Sequence, residues 1–370
     1  MDGLRIALYN PATMAFHVGT PEVQPLGGVA SCLCYLARAL SSRGHHVSLI
    51  SYLPPGTPTM VMGVEHVPIE PVMADAINFF RAKDYDAVLA TNYPDIASYV
   101  AMGSPKSVNI AWLHVYPNQP AMAPLDSTQG WLDVAVCVSA HLRDSFRLRI
   151  PTIAIGNAIA PAFENMFSSP AELLAAKKNR AAYASMPFRG LELLVEVMNR
   201  VTGQVGLDIF SSMQAYQVPE RFAALYDMAG RNPRIHYHGG VGQKALAAGF
   251  RACAYLVYPS THIESYCIVA QEALAAGLKV ISNDSGALPE TTMGYADLLP
   301  VQGLTIPREA HIRGMAALLE KNEVNFLRDP QAWAEQRFEQ AQRVNRESSW
   351  ARRALEWEAF LGPAVAAKRR

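Results

Sequence analysis

This sequence predicts a doubly wound α/β protein in two lobes, on three observations. Short apolar runs alternate with stretches at helical spacing. The alternation halts at a Pro/Gly-rich connection over residues 150–161 and then restarts. The length, 370 residues, is large for one core and comfortable for two.

In the first half, residues 4–9 form an apolar run of buried-strand type. A loop holding Pro11, Gly19, Pro21 and Pro25 leads to Gly27-Gly28. Val29, Leu33, Leu36 and Leu40 then recur at helical spacing, and Gly44 ends that helix. Strands follow at 47–51, 86–90, 107–113 and 132–138. A β-loop-α-β opening with glycines at the loop-to-helix junction is how doubly wound folds begin. In the second half, strands are expected at 180–184, 207–210, 234–237, 254–258 and 279–282, with helices over 191–201, 244–252 and 269–276. Two successive β/α runs imply two parallel sheets, each covered on both faces. The expected division is 1–155 for the first lobe and 156–347 for the second, with the helix 348–370 crossing back onto the first.

Composition narrows the function. Half of the residues are hydrophobic and 17% are charged, which describes a well-buried globular protein. Lys plus Arg and Asp plus Glu stand at 32 each, so no global field gathers nucleic acid or anionic lipid. Anion binding must be local. The five cysteines show no C-x-x-C and no zinc spacing, and read as reduced, packed thiols of a cytosolic protein. The opening Met-Asp-Gly-Leu-Arg-Ile runs into a strand without a basic n-region or long apolar h-region. No apolar stretch approaches a membrane span. A soluble, cytoplasmic protein is expected, with room for peripheral contact at the inner face of the membrane.

The most informative stretch is His262-Ile-Glu-Ser-Tyr-Cys-Ile-Val-Ala-Gln-Glu-Ala-Leu-Ala-Ala-Gly277. A helix starting near Tyr266 leaves Glu264 in the loop at its positive end and puts Glu272 on its second turn. Eight residues of helix span roughly 12 Å, comparable to the reach from ribose to sugar across a diphosphate. One carboxylate then suits ribose hydroxyls and the other sugar hydroxyls. Between them, N–H groups of Tyr266, Cys267 and Ile268 would face the diphosphate, where the helix dipole favours anions.

These residues resemble glycosyltransferase family 4, whose GT-B fold sets two Rossmann-like lobes across a cleft. The family carries Pro-Ser, then Glu-x7-Glu, then Ala-x-Ala-x-Gly; here stand Tyr-Pro-Ser260, Glu264, Glu272 and Ala-Leu-Ala-Ala-Gly277. Gly286-Ala-Leu-Pro-Glu290, Gly27-Gly28-Val29, Val138-Ser139 and Asn157 also match, so the resemblance covers nearly the whole chain. It implies that Glu264 contacts the donor sugar and Glu272 the ribose. It implies that Arg189, where the family has Lys before Gly190, neutralises the departing diphosphate. An Arg that the family carries shortly before this position is missing, and Tyr183-Ala-Ser-Met-Pro187 stands instead. Leaving-group stabilisation then falls on Arg189, Ser185 and backbone N–H groups. Gly27 and Gly28 would let the first lobe's backbone approach the same diphosphate. His114, ending a strand, would line the donor-sugar pocket.

Other features are discounted. Asp84-Tyr-Asp86 spells the D-x-D of metal-binding transferases but sits in the turn before a strand. Arg337, Arg343, Arg346, Arg352 and Arg353 interleave with Glu and read as a solvated helix face. Trp350 and Trp357 read as packing residues. The resemblance implies a retaining hexosyltransferase of polysaccharide, glycolipid or glycoconjugate biosynthesis, with an acceptor-side first lobe and a donor-binding second lobe. Its donor is a UDP, GDP or dTDP sugar, its acceptor a sugar, a lipid-linked or a glycoconjugate hydroxyl. No cofactor or metal is called for, and no nucleic acid. The alternatives are a GT-B-fold sugar-nucleotide epimerase and an inactive donor-binding subunit.

Overall fold

The computed structural model describes residues 3–302 and 305–370. Met1 and Asp2, read above as leading into the first strand, lie outside the described residues. The chain divides into two compact units. One holds the chain up to Pro21, Gly27–Asn157 and Trp350–Arg370; the other holds Glu22–Leu26 and Ala158–Ser349.

The first unit is built on strands β1 (Arg5–Tyr9), β2 (His46–Ser51), β3 (Met60–Val61), β4 (Val64–Pro68), β5 (Ala87–Thr91), β6 (Val108–Leu113), β7 (Val134–Cys137) and β8 (Thr152–Ala154). Their spatial order is β3-β4-β2-β1-β5-β6-β7-β8. The pairings are parallel apart from the β3–β4 hairpin at one edge. Every residue of β5 and β6 is buried, which explains why these strands read as mainly apolar runs, interrupted by Thr91 and Asn109. Tyr9, Ile50, Val88 and Ala90 face a cluster with Phe80 and Val100 from the flanking helices. On the helix Trp350–Lys368, Trp357 is fully buried with its ring 5.5 Å from that of Trp112 in β6. Trp350 packs near Tyr35 of the helix Gly28–Ser42, at 6.2 Å between rings.

The second unit is built on β9 (Lys178–Ala184), β10 (Gly206–Phe210), β11 (Ile235–Tyr237), β12 (Cys253–Tyr258), β13 (Lys279–Asn283) and β14 (Asp297–Leu299). All pairs are parallel, in the order β11-β10-β9-β12-β13-β14. Counted within the unit this is 3-2-1-4-5-6, so the winding reverses between β9 and β12. Doubly wound sheets bind ligands in the crevice outside the carboxyl ends of strands at such a reversal. In the first unit the winding reverses in the same way between β1 and β5.

The helices Leu191–Arg200 and Gln243–Ala252 fall where helical spacing puts them. Gln340, on the helix Pro330–Glu347, donates from Nε2 to the carbonyls of Leu274 and Leu278, 3.0 Å each, and so closes the end of the helix Ile268–Ala275. Lys177 does the same for the Phe250 and Ala276 carbonyls, and burial pulls its amine down to about 7. The five cysteines are free and buried.

Several expectations need correction. The edge strands β3, β8 and β14 carried no clear signal, because they are short and have partly exposed residues, and β4, inside the sheet, was not read either. Strand β8 lies inside the stretch read as the connection. Arg337 and Arg353 are not solvated. Arg337 is 7% exposed, and burial lowers its guanidinium to about 10. Arg353 donates to the Asn157 carbonyl at 2.9 Å and to Glu356. Interleaving with Glu does not tell which face a residue occupies: Arg337 falls on the one buried stripe of its helix, with Trp333, Gln340 and Val344. Among the described residues, no helix is long and apolar enough to cross a membrane.

Removing the Trp357 ring should leave a large cavity under the C-terminal helix. Trp357→Ala is expected to cost about 3–5 kcal/mol, read as a lowered midpoint in urea unfolding. A loss below about 1 kcal/mol would mean that the helix is not anchored by this ring.

Candidate active site

At the end of β9, Ser185 precedes a 3-10 turn, Pro187–Arg189, and then Gly190, which opens the helix Leu191–Arg200. Gly190 takes φ 108°, and a Cβ there would stand 2.1 Å from the Pro259 carbonyl oxygen. Only glycine lets this turn lie against the exit of β12. That contact brings Arg189 beside the loop that follows β12.

The loop is pinned along its length. Ser282 Oγ donates to the Tyr258 carbonyl at 2.6 Å, Asn283 Nδ2 to that of Ser260 at 2.7 Å, and Ser285 Oγ to that of His262 at 2.8 Å. The Ala287 N–H donates to the Glu264 carbonyl at 2.7 Å. Gly286 permits this approach: its φ is 63°, and a Cβ would meet the Glu264 carbonyl oxygen at 2.2 Å. The exit of β13 therefore holds every second carbonyl of the β12 loop, and Glu264 inherits a fixed backbone.

Its carboxylate is buried, at 4% exposure. Glu264 Oε1 accepts from Tyr258 Oη at 2.6 Å, from Arg189 Nη1 at 3.0 Å and from Ser260 Oγ at 3.3 Å. The Arg189 ion pair supplies the positive charge that a buried carboxylate needs. Burial and then the Glu264 charge push the Tyr258 phenol well above its ordinary range, so it stays a donor. Ser185 is half-buried, with its hydroxyl 3.5 Å from Tyr258 Oη and its carbonyl accepting from Ser211 Oγ at 2.6 Å. The sequence pointed to Glu264, Arg189 and Ser185. It did not point to Tyr258 or Ser260 as partners of Glu264, although both flank the Pro of the Tyr-Pro-Ser motif.

The helix begins at Ile268, two residues after the start near Tyr266 and one before the 269 that helical spacing gives. Cys267 sits in the left-handed region at φ 68°, which no helix can continue through, so Tyr266 and Cys267 belong to the loop and not to the first turn. Tyr266 is buried and donates from its hydroxyl to Gln271 Oε1 at 2.9 Å. Glu272 does fall on the second turn, but it is not a solvated residue: it is 3% exposed and accepts the Ala160 N–H at 3.2 Å. Burial, only partly offset by that N–H, raises its carboxyl to about 8.

His114, Gly27 and Gly28 belong to the first unit. His114 directly follows β6 and is buried; its N–H donates to Asn92 Oδ1 at 2.7 Å, its ring lies 4.5 Å from Trp112, and its Nε2 has no hydrogen-bond partner. Burial lowers this imidazole to about 3, so it is neutral. Gly27 caps the helix Gly28–Ser42 at φ −57° and ψ 145°, angles open to any residue, so the pair is not required by backbone conformation. Of the D-x-D, Asp86 accepts the Arg5 N–H at 2.8 Å and pairs with Arg369, which is a structural use.

The raised Glu272 carboxyl makes a pH prediction. Its folded state keeps the proton that the unfolded chain loses above about 4.5, so the folded protein is penalised progressively as pH rises from there to about 8. Glu272→Gln removes the titration. Its melting temperature relative to wild type should rise between pH 5 and pH 8; a constant difference across that window would contradict the assignment.

Residues 180–321 match the family described as glycosyl transferases, group 1. A D-inositol 3-phosphate glycosyltransferase of Streptomyces griseus is 38% identical over 85 residues, which are 23% of this chain and 18% of that protein's length. Among solved structures, sucrose-phosphate synthase of Thermosynechococcus elongatus matches with TM-score 0.72 at 19% identity, covering 98% of this chain and 99% of that one. A glycosyltransferase of Rickettsia africae gives 0.74 at 14% identity, over 99% of both chains. Anabaena HepE in complex with UDP and glucose gives 0.70 at 15% identity, over 97% of this chain and 100% of that one. The fold is thus the two-lobed α/β class expected, and residues 180–321 stand within the group 1 glycosyl transferases, as the motif resemblance implied.

Proposed function

We propose that this chain is a retaining glycosyltransferase that moves a hexose-type sugar from a nucleoside-diphosphate sugar to an acceptor hydroxyl, without a metal. The observation that carries this reading is the cluster at the exits of β9 and β12. There a buried Glu264 is bound to Arg189, and a second buried carboxylate, Glu272, lies eight residues on along the next helix. The UDP and glucose held by Anabaena HepE support a sugar nucleotide as the donor.

On this reading Glu272 binds the ribose and Glu264 the sugar hydroxyls. Arg189, Ser185 and the N–H groups of Tyr266, Cys267 and Ile268 meet the diphosphate. The second unit then binds the donor and the first serves the acceptor. The acceptor oxygen bonds to the anomeric carbon on the face from which the diphosphate oxygen leaves. That oxygen takes the acceptor's proton. A guanidinium carries five N–H donors, so Arg189 has the valence to bridge Glu264 and a diphosphate. Charge grows on the diphosphate as the bond breaks, so a fixed cation stabilises the transition state more than the bound donor.

Incubation with UDP, GDP and dTDP sugars and simple acceptors, followed by NMR of the product's anomeric proton, tests the reaction. Retention is expected, with a rate unaffected by chelator; inversion, or no turnover with any donor, overturns it. Arg189→Ala should lower the rate on the order of 10²–10³-fold, with part recovered in Arg189→Lys. A rate within about threefold of wild type, far short of such a loss, would make Arg189 structural. Glu272→Ala should weaken nucleoside diphosphate affinity by about 1–3 kcal/mol in calorimetry, whereas Glu264→Gln should spare it and lower transfer. Equal nucleotide losses in the two variants would reverse the division of roles.

A further inference from the structure

Tyr258 ends β12 and is fully buried. Its carbonyl is held by Ser282 Oγ, and its ring lies 6.0 Å from that of Tyr183, another buried tyrosine, whose hydroxyl donates to the Met186 carbonyl at 2.8 Å. Backbone and ring are therefore fixed, and the hydroxyl reaches Glu264 Oε1 at 2.6 Å. That is shorter than the Arg189 and Ser260 contacts on the same oxygen. The Ser260 hydroxyl has one proton and a nearer acceptor, the His262 carbonyl at 2.9 Å against 3.3 Å for Glu264. The Arg189 side chain is 31% exposed. A diphosphate carries more charge than a carboxylate, and it competes for the same guanidinium.

A donor that shares this guanidinium thus loosens the Arg189 hold on Glu264 at the moment when Glu264 must be oriented on the sugar. An uncharged donor on a rigid strand end does not respond to that pull. We infer that Tyr258 is a positioning residue whose hydroxyl holds the Glu264 carboxylate in place while Arg189 serves the diphosphate. The inference rests on the donor reading above. It gives Tyr258 no contact with substrate; it acts through Glu264.

Tyr258→Phe tests this, since the ring and its packing are kept. UDP affinity by calorimetry should match wild type, because Glu264 acts on the sugar. The gain in affinity from UDP to UDP-glucose, or to whichever sugar nucleotide is turned over, should shrink. The kcat should fall about 10–100-fold with KM changed far less. Tyr183→Phe is the control: it removes a buried hydroxyl from the same wall without touching Glu264, and should keep kcat near wild type. Tyr258→Phe within about threefold of wild-type kcat in an active enzyme, well below one lost positioning bond, overturns the inference alone. So does a parallel loss of UDP affinity and kcat in both variants, which marks a packing effect. A wild-type protein that neither binds a nucleoside diphosphate nor transfers sugar removes the donor reading, and the inference with it.

Discussion

A carboxylate taken out of water must be compensated, and the second unit is arranged around that demand at Glu264. Its side chain is almost wholly withdrawn from solvent, so an unpaired charge there would be far costlier than the loop that carries it could tolerate. The compensation is local and redundant: a guanidinium, a phenol and a hydroxyl converge on one oxygen. Each comes from a different structural reason. Arg189 is delivered by a turn that needs Gly190, Tyr258 by a strand end, and Ser260 by the loop itself. The backbone beneath them is held by side chains and an N–H from β13 and its exit, and Gly286 is the residue that allows the approach.

Topology explains why residues so distant in sequence meet. Arg189 and Glu264 are 75 positions apart, yet each directly follows one of the two strands flanking the reversal of winding. Their sheet neighbours fan out in opposite directions, so the helices after β9 and β12 pass to opposite faces and leave the crevice open between them. The aligned polar ends of those helices make that crevice suited to an anion before any side chain is added. The arrangement thus has a backbone component that substitution cannot remove, with the Arg189 charge added to it.

The sequence was legible where a structural requirement leaves a periodic trace. Strands β5, β6 and β12, buried throughout, announce themselves as mainly apolar runs, and the spacing of Glu264 and Glu272 places one before a helix and the other upon it. Strands β8 and β14 left little trace, because a partly exposed three-residue edge has no pattern of its own. The helix start was misjudged by two residues because a left-handed Cys267 is a conformational choice that its residue type does not advertise. Arg337 was misjudged because charge in sequence was equated with exposure, whereas helix Pro330–Glu347 buries it. The partners of Glu264 were hidden for a different reason. Tyr258 reads as one more apolar strand residue, and only the fold turns its hydroxyl toward the carboxylate.

The two acidic residues of one loop and helix stand in different electrostatic surroundings. Glu264 has the Arg189 guanidinium beside it. Glu272, equally buried, accepts from the Ala160 N–H, which among the described residues is too little to outweigh desolvation, and so holds its proton at neutral pH. A neutral carboxyl is one donor and one acceptor, whereas a carboxylate is an acceptor only. A ribose diol presents both a donor and an acceptor at each oxygen, so a neutral Glu272 can exchange hydrogen bonds with it in either sense. It also brings no second negative charge near a diphosphate. On the proposed function, the cationic partner stands at Glu264, where a developing positive charge on the sugar would gain most from a carboxylate, and not at Glu272, where a charge would oppose the ligand. On the proposed function, the division of labour between the two residues is thus set by which of them the β9 turn can reach.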